Sequence, residues 1–129
     1  MTNFALLVVG VVVISMYAFV RLANSSPTAS QPSFASVESA IVAGALLYDV
    51  RTPAEFVAGH IEYAQNFPLQ NLQAGVFPDV PTDQKIYLYC QSGNRSLQAA
   101  SLLKQRGYTN ISDLGGIHDV ERSGGKLIQ

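Results

Sequence analysis

The tightest constraint in this sequence is a change of periodicity inside Lys85-Ile-Tyr-Leu-Tyr-Cys90-Gln-Ser-Gly-Asn-Arg95-Ser-Leu-Gln-Ala-Ala-Ser-Leu-Leu. Ile86 to Tyr89 mix β-branched, aromatic and aliphatic residues, which suits a short buried strand. Gln91-Ser-Gly-Asn is a run of turn formers containing a glycine able to take positive φ. From about Arg95 the spacing becomes helical: Leu97, Ala100 and Leu103 share a face, Lys104 and Arg106 occupy the last turn, and Gly107 stands at the stop position. The only cysteine of the chain, Cys90, opens the loop. A thiol placed there faces the unpaired N–H groups and positive dipole end of the next helix, an arrangement that favours the nucleophilic thiolate. Arg95 adds a planar cation suited to holding an oxyanion. A buried structural cysteine is the plainer alternative; the polar, glycine-containing loop speaks for the reactive one.

Strand and helix patterns alternate on either side of this stretch. Ser36 is a fair N-cap, with Val37, Ala40 and Ile41 forming an apolar stripe that closes at Gly44. Ala45-Leu-Leu-Tyr-Asp-Val is nearly all apolar, as in a strand covered on both faces. Thr52-Pro53-Ala-Glu55 has the form of a capping box with proline at the first helical position, and Gly59 ends that helix. A short strand over Ala64 to Phe67, a helical turn from Leu69 to Gln73, a loop from Phe77 to Asp83 and a strand from Asn110 to Leu114 complete the pattern. Such alternation predicts an α/β layer fold with a mainly parallel central sheet flanked by helices. Ligands of these sheets bind at the carboxyl ends of the strands, where Cys90 falls.

Charge narrows the function classes. The net charge is −1 and no Lys/Arg cluster occurs, which argues against nucleic acid as a partner. A single cysteine excludes an intramolecular disulfide, and His60 and His118 lack partners at metal-ligand spacing, so no metal is expected. Phe4 to Val20 carries no charge, and Leu22 and Ala23 extend it past a snorkelling Arg21. Residues 1–23 are therefore read as a transmembrane anchor, inserted through residues 4–23, with a cleaved signal peptide as the alternative because Ala23-Asn-Ser25 is a tolerable cleavage site. Arg21, the one flanking cation, points to a cytoplasmic domain on a single-pass anchor; signal cleavage would instead make it exported or periplasmic. Residues 24–32 are Ser/Thr/Pro/Ala-rich, a flexible linker, and 33–129 form the domain.

Cys90-Gln-Ser-Gly-Asn-Arg95-Ser resembles the active-site loop of the rhodanese family of sulfurtransferases. Leu47-Tyr-Asp49-Val-Arg51 followed by Gly59-His60-Ile61 resembles the family's second signature, and Gly107-Tyr with Leu114-Gly115-Gly116-Ile its closing motif. The three stand in the family's order over about residues 33 to 125. The resemblance implies a rhodanese-like three-layer fold and a two-step transfer without metal or organic cofactor. Cys90 would attack the outer sulfur of a small sulfur-containing anion, thiosulfate or a polysulfide, and a thiol, cyanide or protein-cysteine acceptor would discharge the resulting persulfide. The loop Gln91, Ser92, Gly93, Asn94 and Ser96 would bind the substrate through its amides and hydroxyls, with Arg95 orienting the anion. Asp49 and Arg51 would form a charge pair supporting the loop, His60 would be a packed histidine bonded to backbone, and Glu55 is read as a helix cap only.

Two alternatives use the same loop. A sulfur-relay or partner-binding domain would carry the persulfide without turning over free thiosulfate. A cysteine-dependent phosphatase or arsenate reductase would typically have five residues between Cys and Arg, where this chain has Gln91 to Asn94. The chain also departs from the family pattern: it has no tryptophan, Val120 standing near the usual place, it has Gly124-Gly-Lys126 where the family has glycine–aromatic–proline, and it has Glu62-Tyr63 after the Gly-His-Ile triplet. The loss of a large buried ring predicts a thinner C-terminal cover.

Overall fold

A computed structural model describes residues 31–129. The apolar run, its cleavage site and most of the linker lie outside the described residues; among those described, no helix is long and apolar enough to cross a membrane. Helix α1 (Phe34–Val42) leads into strand β1 (Leu46–Asp49), then α2 (Pro53–Ala58), β2 (His60–Ile61), β3 (Gln65–Asn66) and α3 (Leu69–Gln73). After a long loop come β4 (Ile86–Cys90), α4 (Asn94–Arg106), β5 (Ile111–Gly116), α5 (Ile117–Arg122) and β6 (Leu127–Ile128). Four strands pair in the order β3-β1-β4-β5, every neighbour parallel. This is the α/β architecture with a parallel central sheet that the alternating pattern predicts.

Two layers of helix cover that sheet because its strands alternate their side chains between two apolar clusters. Ile86, Leu88 and Cys90 of β4 join Tyr48 and Val50, with Leu69 and Leu72 of α3 and Ala99, Ala100 and Leu103 of α4. Tyr87 and Tyr89 point the other way, onto Leu47, Ile61, Phe34 and Val37 of α1, and Ile117 and Val120 of α5. A fully buried aliphatic or aromatic side chain of this kind contributes about 1.5–3 kcal/mol.

Three local expectations are corrected and one pairing is added. Helix α1 begins after Ser33, and the Ser36 hydroxyl donates to Ser33 O at 2.7 Å from within the helix, so Ser36 is no N-cap. Leu97 is 64% exposed; the buried face of α4 is Ser96, Ala99, Ala100 and Leu103, the i, i+3, i+4, i+7 stripe one position earlier. The antiparallel pair β2–β6, joining His60 to Ile128 and Ile61 to Leu127, was not foreseen, since two-residue strands carry no period to read. Strand β5 runs on through Gly115 and Gly116 instead of stopping at Leu114.

The C-terminal cover closes over Val120. Val120 is 1% exposed, and Gly125 lies so near that a Cβ there would meet Val120 Cγ1 at 2.7 Å. The turn after α5 is thus drawn in against the valine.

Candidate active site

Cys90 is the last residue of β4, at the carboxyl edge of the sheet, and its side chain is fully buried. The chain then turns within three residues. Gly93 adopts φ 95°, a left-handed conformation that a side chain would strain, and its N–H donates to Cys90 Sγ at 2.9 Å. Asn94 opens α4 immediately afterwards. The sulfur therefore sits at a junction, packed against the core on one side and bonded by a loop amide on the other.

Three supports hold the loop. Gln91 Oε1 accepts from Arg51 Nη1 at 3.2 Å. Ser96 is fully buried, and its hydroxyl reaches Gly93 O at 3.1 Å and Gly115 O at 3.4 Å. Gly116 passes so close that a Cβ on it would stand 2.8 Å from Gln91 O. The candidate residues thus divide. Cys90 and Gly93 meet directly, Gln91 is tied to Arg51, and Ser92 is exposed. The Ser96 hydroxyl is taken by backbone carbonyls, and Asn94 Oδ1 accepts from Gln98 Nε2 at 3.4 Å on the exposed side of α4.

Asp49 and Arg51 form a buried ion pair at the end of β1. Asp49 accepts Arg51 Nη2 at 2.6 Å and Arg51 Nε at 3.0 Å on both oxygens, and Arg51 N–H at 2.9 Å. Arg51 Nη2 also donates to Gly59 O at 2.6 Å. Asn66 closes the knot from β3 by donating to the carbonyls of Asp49 and Arg51 at 3.0 and 2.9 Å. One guanidinium so links the β1 end, the turn after α2 and the cysteine loop, and among the described residues no buried side-chain polar atom is left unpaired. His60 stacks on Phe56 at 3.8 Å between ring centroids, with Nδ1 2.9 Å from Phe56 O. Tyr89, whose phenol burial pushes well above its ordinary range, accepts the Ile61 N–H at 2.9 Å.

Arg95 makes the contact that sequence reasoning missed. Its Nη1 and Nη2 donate to Glu55 Oε2 and Oε1 at 2.8 and 2.9 Å, a bidentate pair. Glu55 also completes the capping box of α2, accepting from Thr52 N–H and hydroxyl at 3.0 and 2.9 Å. The reading of Glu55 as a cap alone is corrected: the same carboxylate caps one helix and holds the first-turn arginine of another. The Arg95 bonds, reinforced by those from Thr52, bring the Glu55 carboxyl from 4.5 down to about 2 against the opposing effect of burial. The bonds to Glu55 likewise raise Arg95, which also feels the charges of Cys90 and Asp49. Beside the loop opens a cleft of about 200 Å³, whose lining includes Arg51, Glu55, Gln91, His118, Glu121 and Leu127.

A family model described as "Rhodanese-like domain" matches residues 33–123. The chain belongs to the rhodanese-like family. A sulfurtransferase of Allochromatium vinosum is 40% identical over 80 residues, 61% of this chain and 74% of that one. The Bacillus subtilis "Uncharacterized protein YqhL" is 43% identical over 83 residues, 64% of each chain, so the match spans a little under two thirds of that relative. Among solved structures, a human single-domain sulfurtransferase superposes with TM-score 0.62 at 26% identity, covering 76% of this chain and 99% of that one. Within a rhodanese-like domain, the Cys90 loop, the Asp49–Arg51 pair and the Glu55–Arg95 pair gather at the carboxyl end of the sheet, and Arg51, Glu55 and Gln91 among them line the cleft.

Proposed function

We propose that this protein is a rhodanese-type sulfurtransferase in which Cys90 carries the transferred sulfur. The observation that supports it most is the Gly93 N–H directed at Cys90 Sγ at 2.9 Å, in a loop whose arginine stands in the first turn of α4. A sulfur held by a loop amide is suited to bear negative charge, both as thiolate and as terminal persulfide. In the first half-reaction the Cys90 thiolate attacks the outer sulfur of a donor such as thiosulfate. The donor S–S bond breaks, a Cys90 S–S bond forms, and the electron pair leaves with sulfite. In the second, a thiolate, cyanide or protein-cysteine acceptor attacks the terminal sulfur and Cys90 leaves as thiolate. Gln91 to Ser96 would supply the amide cradle, Arg95 would meet an anionic donor, and Asp49, Arg51 and His60 would support the loop. The protein needs no cofactor for these steps.

The deciding experiment is intact-mass spectrometry of the full-length protein before and after incubation with thiosulfate or polysulfide. A gain of one sulfur atom on Cys90, reversed by cyanide with release of thiocyanate and absent in Cys90→Ser, is the expected result. No gain with any donor would remove the sulfurtransferase reading. Four residues between Cys90 and Arg95 make a smaller cradle than tetrahedral oxyanions require, so turnover of an aryl phosphate is not expected.

We further propose that residues 4–23 anchor the chain in a membrane with residues 33–129 on the cytoplasmic side. A domain confined in this way would pass its sulfur to a protein cysteine at that membrane.

A further inference from the structure

The guanidinium that an anionic donor would meet is already engaged. Arg95 gives both terminal nitrogens to Glu55, at 2.8 and 2.9 Å. Glu55 is itself tethered, because its Oε2 accepts from Thr52 N–H and hydroxyl and its own N–H donates to Thr52 Oγ1 at 3.3 Å. The carboxylate cannot swing away without loosening the cap of α2. Glu55 lines the cleft, and the side chains of Arg95 and Glu55 are 28% and 34% exposed, so a ligand arriving from solvent can reach the pair. Arg51, the guanidinium that lines the cleft, is bound to Asp49, Gly59 O and Gln91 Oε1. Both guanidinium groups are therefore matched by carboxylates, and the site presents no uncompensated positive charge from them.

This balance bears differently on different donors. Thiosulfate brings two negative charges to the Cys90 thiolate, and the reaction keeps all three in one place: Cys90–S⁻ and S–SO₃²⁻ become Cys90–S–S⁻ and SO₃²⁻. A low-molecular-weight hydropersulfide, RSS⁻, brings one; Cys90–S⁻ and RSS⁻ become Cys90–S–S⁻ and RS⁻, with its R group directed away from the loop. A small dianion needs the Arg95 fork and must compete for it with a tethered carboxylate of the same shape. The hydropersulfide needs only the loop amide that already meets the sulfur. We propose that Glu55 is a specificity-determining residue: by holding Arg95 it turns the loop away from small dianionic donors and toward singly charged persulfides of low-molecular-weight thiols. The inference rests on the sulfur-transfer reading above and names its donor class.

Single-turnover loading of Cys90 in the full-length protein, with thiosulfate and with cysteine hydropersulfide, tests it. Glu55→Gln keeps the side-chain length and an oxygen for the Thr52 bonds but removes the charge. In this variant the half-saturating thiosulfate concentration falls roughly tenfold or more while the hydropersulfide constants move less than about threefold. Equal changes for both donors, or weaker thiosulfate loading, would leave Glu55 a purely structural residue and overturn the assignment. Thr52→Val separates charge from cap: it loses the side-chain half of the cap and keeps the carboxylate beside Arg95, so the donor ratio stays at the wild-type value. A ratio shifted as far as in Glu55→Gln would also overturn the assignment, with thermal melting showing that both variants fold. Absence of loading from either donor in the wild type would remove the sulfur-transfer reading itself, and this inference with it.

Discussion

Glu55 shows how much one side chain is asked to do here. Its carboxylate accepts the Thr52 N–H at the cap of α2 and, forty positions along the chain, holds Arg95. Because its carboxyl is depressed from 4.5 to about 2 in the fold, the unfolded chain takes up the proton first. The stability it contributes is fully present above pH 4.5 and is lost as pH falls toward about 2. Chemical denaturation across that window will show the wild type losing stability more steeply than Glu55→Gln. Coincident acid slopes would mean that the ion pair does not persist in solution. The two halves of this residue's role were not equally legible. Thr52-Pro53-Ala-Glu55 announces a capping box within four consecutive residues, a local signal that needs no knowledge of the fold. The bond to Arg95 joins the start of α2 to the start of α4, and no periodicity reports that those two helices begin side by side.

At the scale of elements, the cysteine loop is shaped as much by the strand beside it as by its own residues. The β4–β5 register shifts between Leu88 and Cys90, and β5 ends in paired glycines against Gln91. A Cβ on Gly116 would stand 2.8 Å from Gln91 O, a backbone atom that cannot rotate out of the way. Gly116→Ala will therefore displace the loop at a cost of about 1–3 kcal/mol, and sulfur transfer will drop by up to about a hundredfold, since small displacements of a reacting group are expensive. Stability and single-turnover loading measured on the same preparation check both parts; a fully active variant would show that the loop tolerates the shift. The long, strongly patterned elements, β1, β4 and α4, were readable because both faces of their strands are apolar or their helical stripe is complete. Leu97 misled because intrinsic hydrophobicity suggested a face that the small residues Ser96, Ala99 and Ala100 actually occupy. The β2–β6 pair escaped notice because its partners are distant in sequence and too short to show alternation.

For the molecule as a whole, the parallel sheet places the Cys90 loop, both ion pairs and the cleft at one end. If the proposed anchor and cytoplasmic orientation hold, protease added to intact cells will leave residues 33–129 undigested, and permeabilisation will expose them. Digestion in intact cells would reverse the orientation. The alternation along β4 carries a last consequence. Ile86, Leu88 and Cys90 serve one apolar cluster, Tyr87 and Tyr89 the other. Inserting or deleting one residue ahead of Cys90 within this strand would exchange the two sets and turn the thiol toward the opposite layer. The placement of the Cys90 thiol and the core packing are thus written in the same five letters, and that stretch can change in identity but not in length. Variation in size belongs to the loop between α3 and β4, where an added residue leaves the parity of the strand untouched.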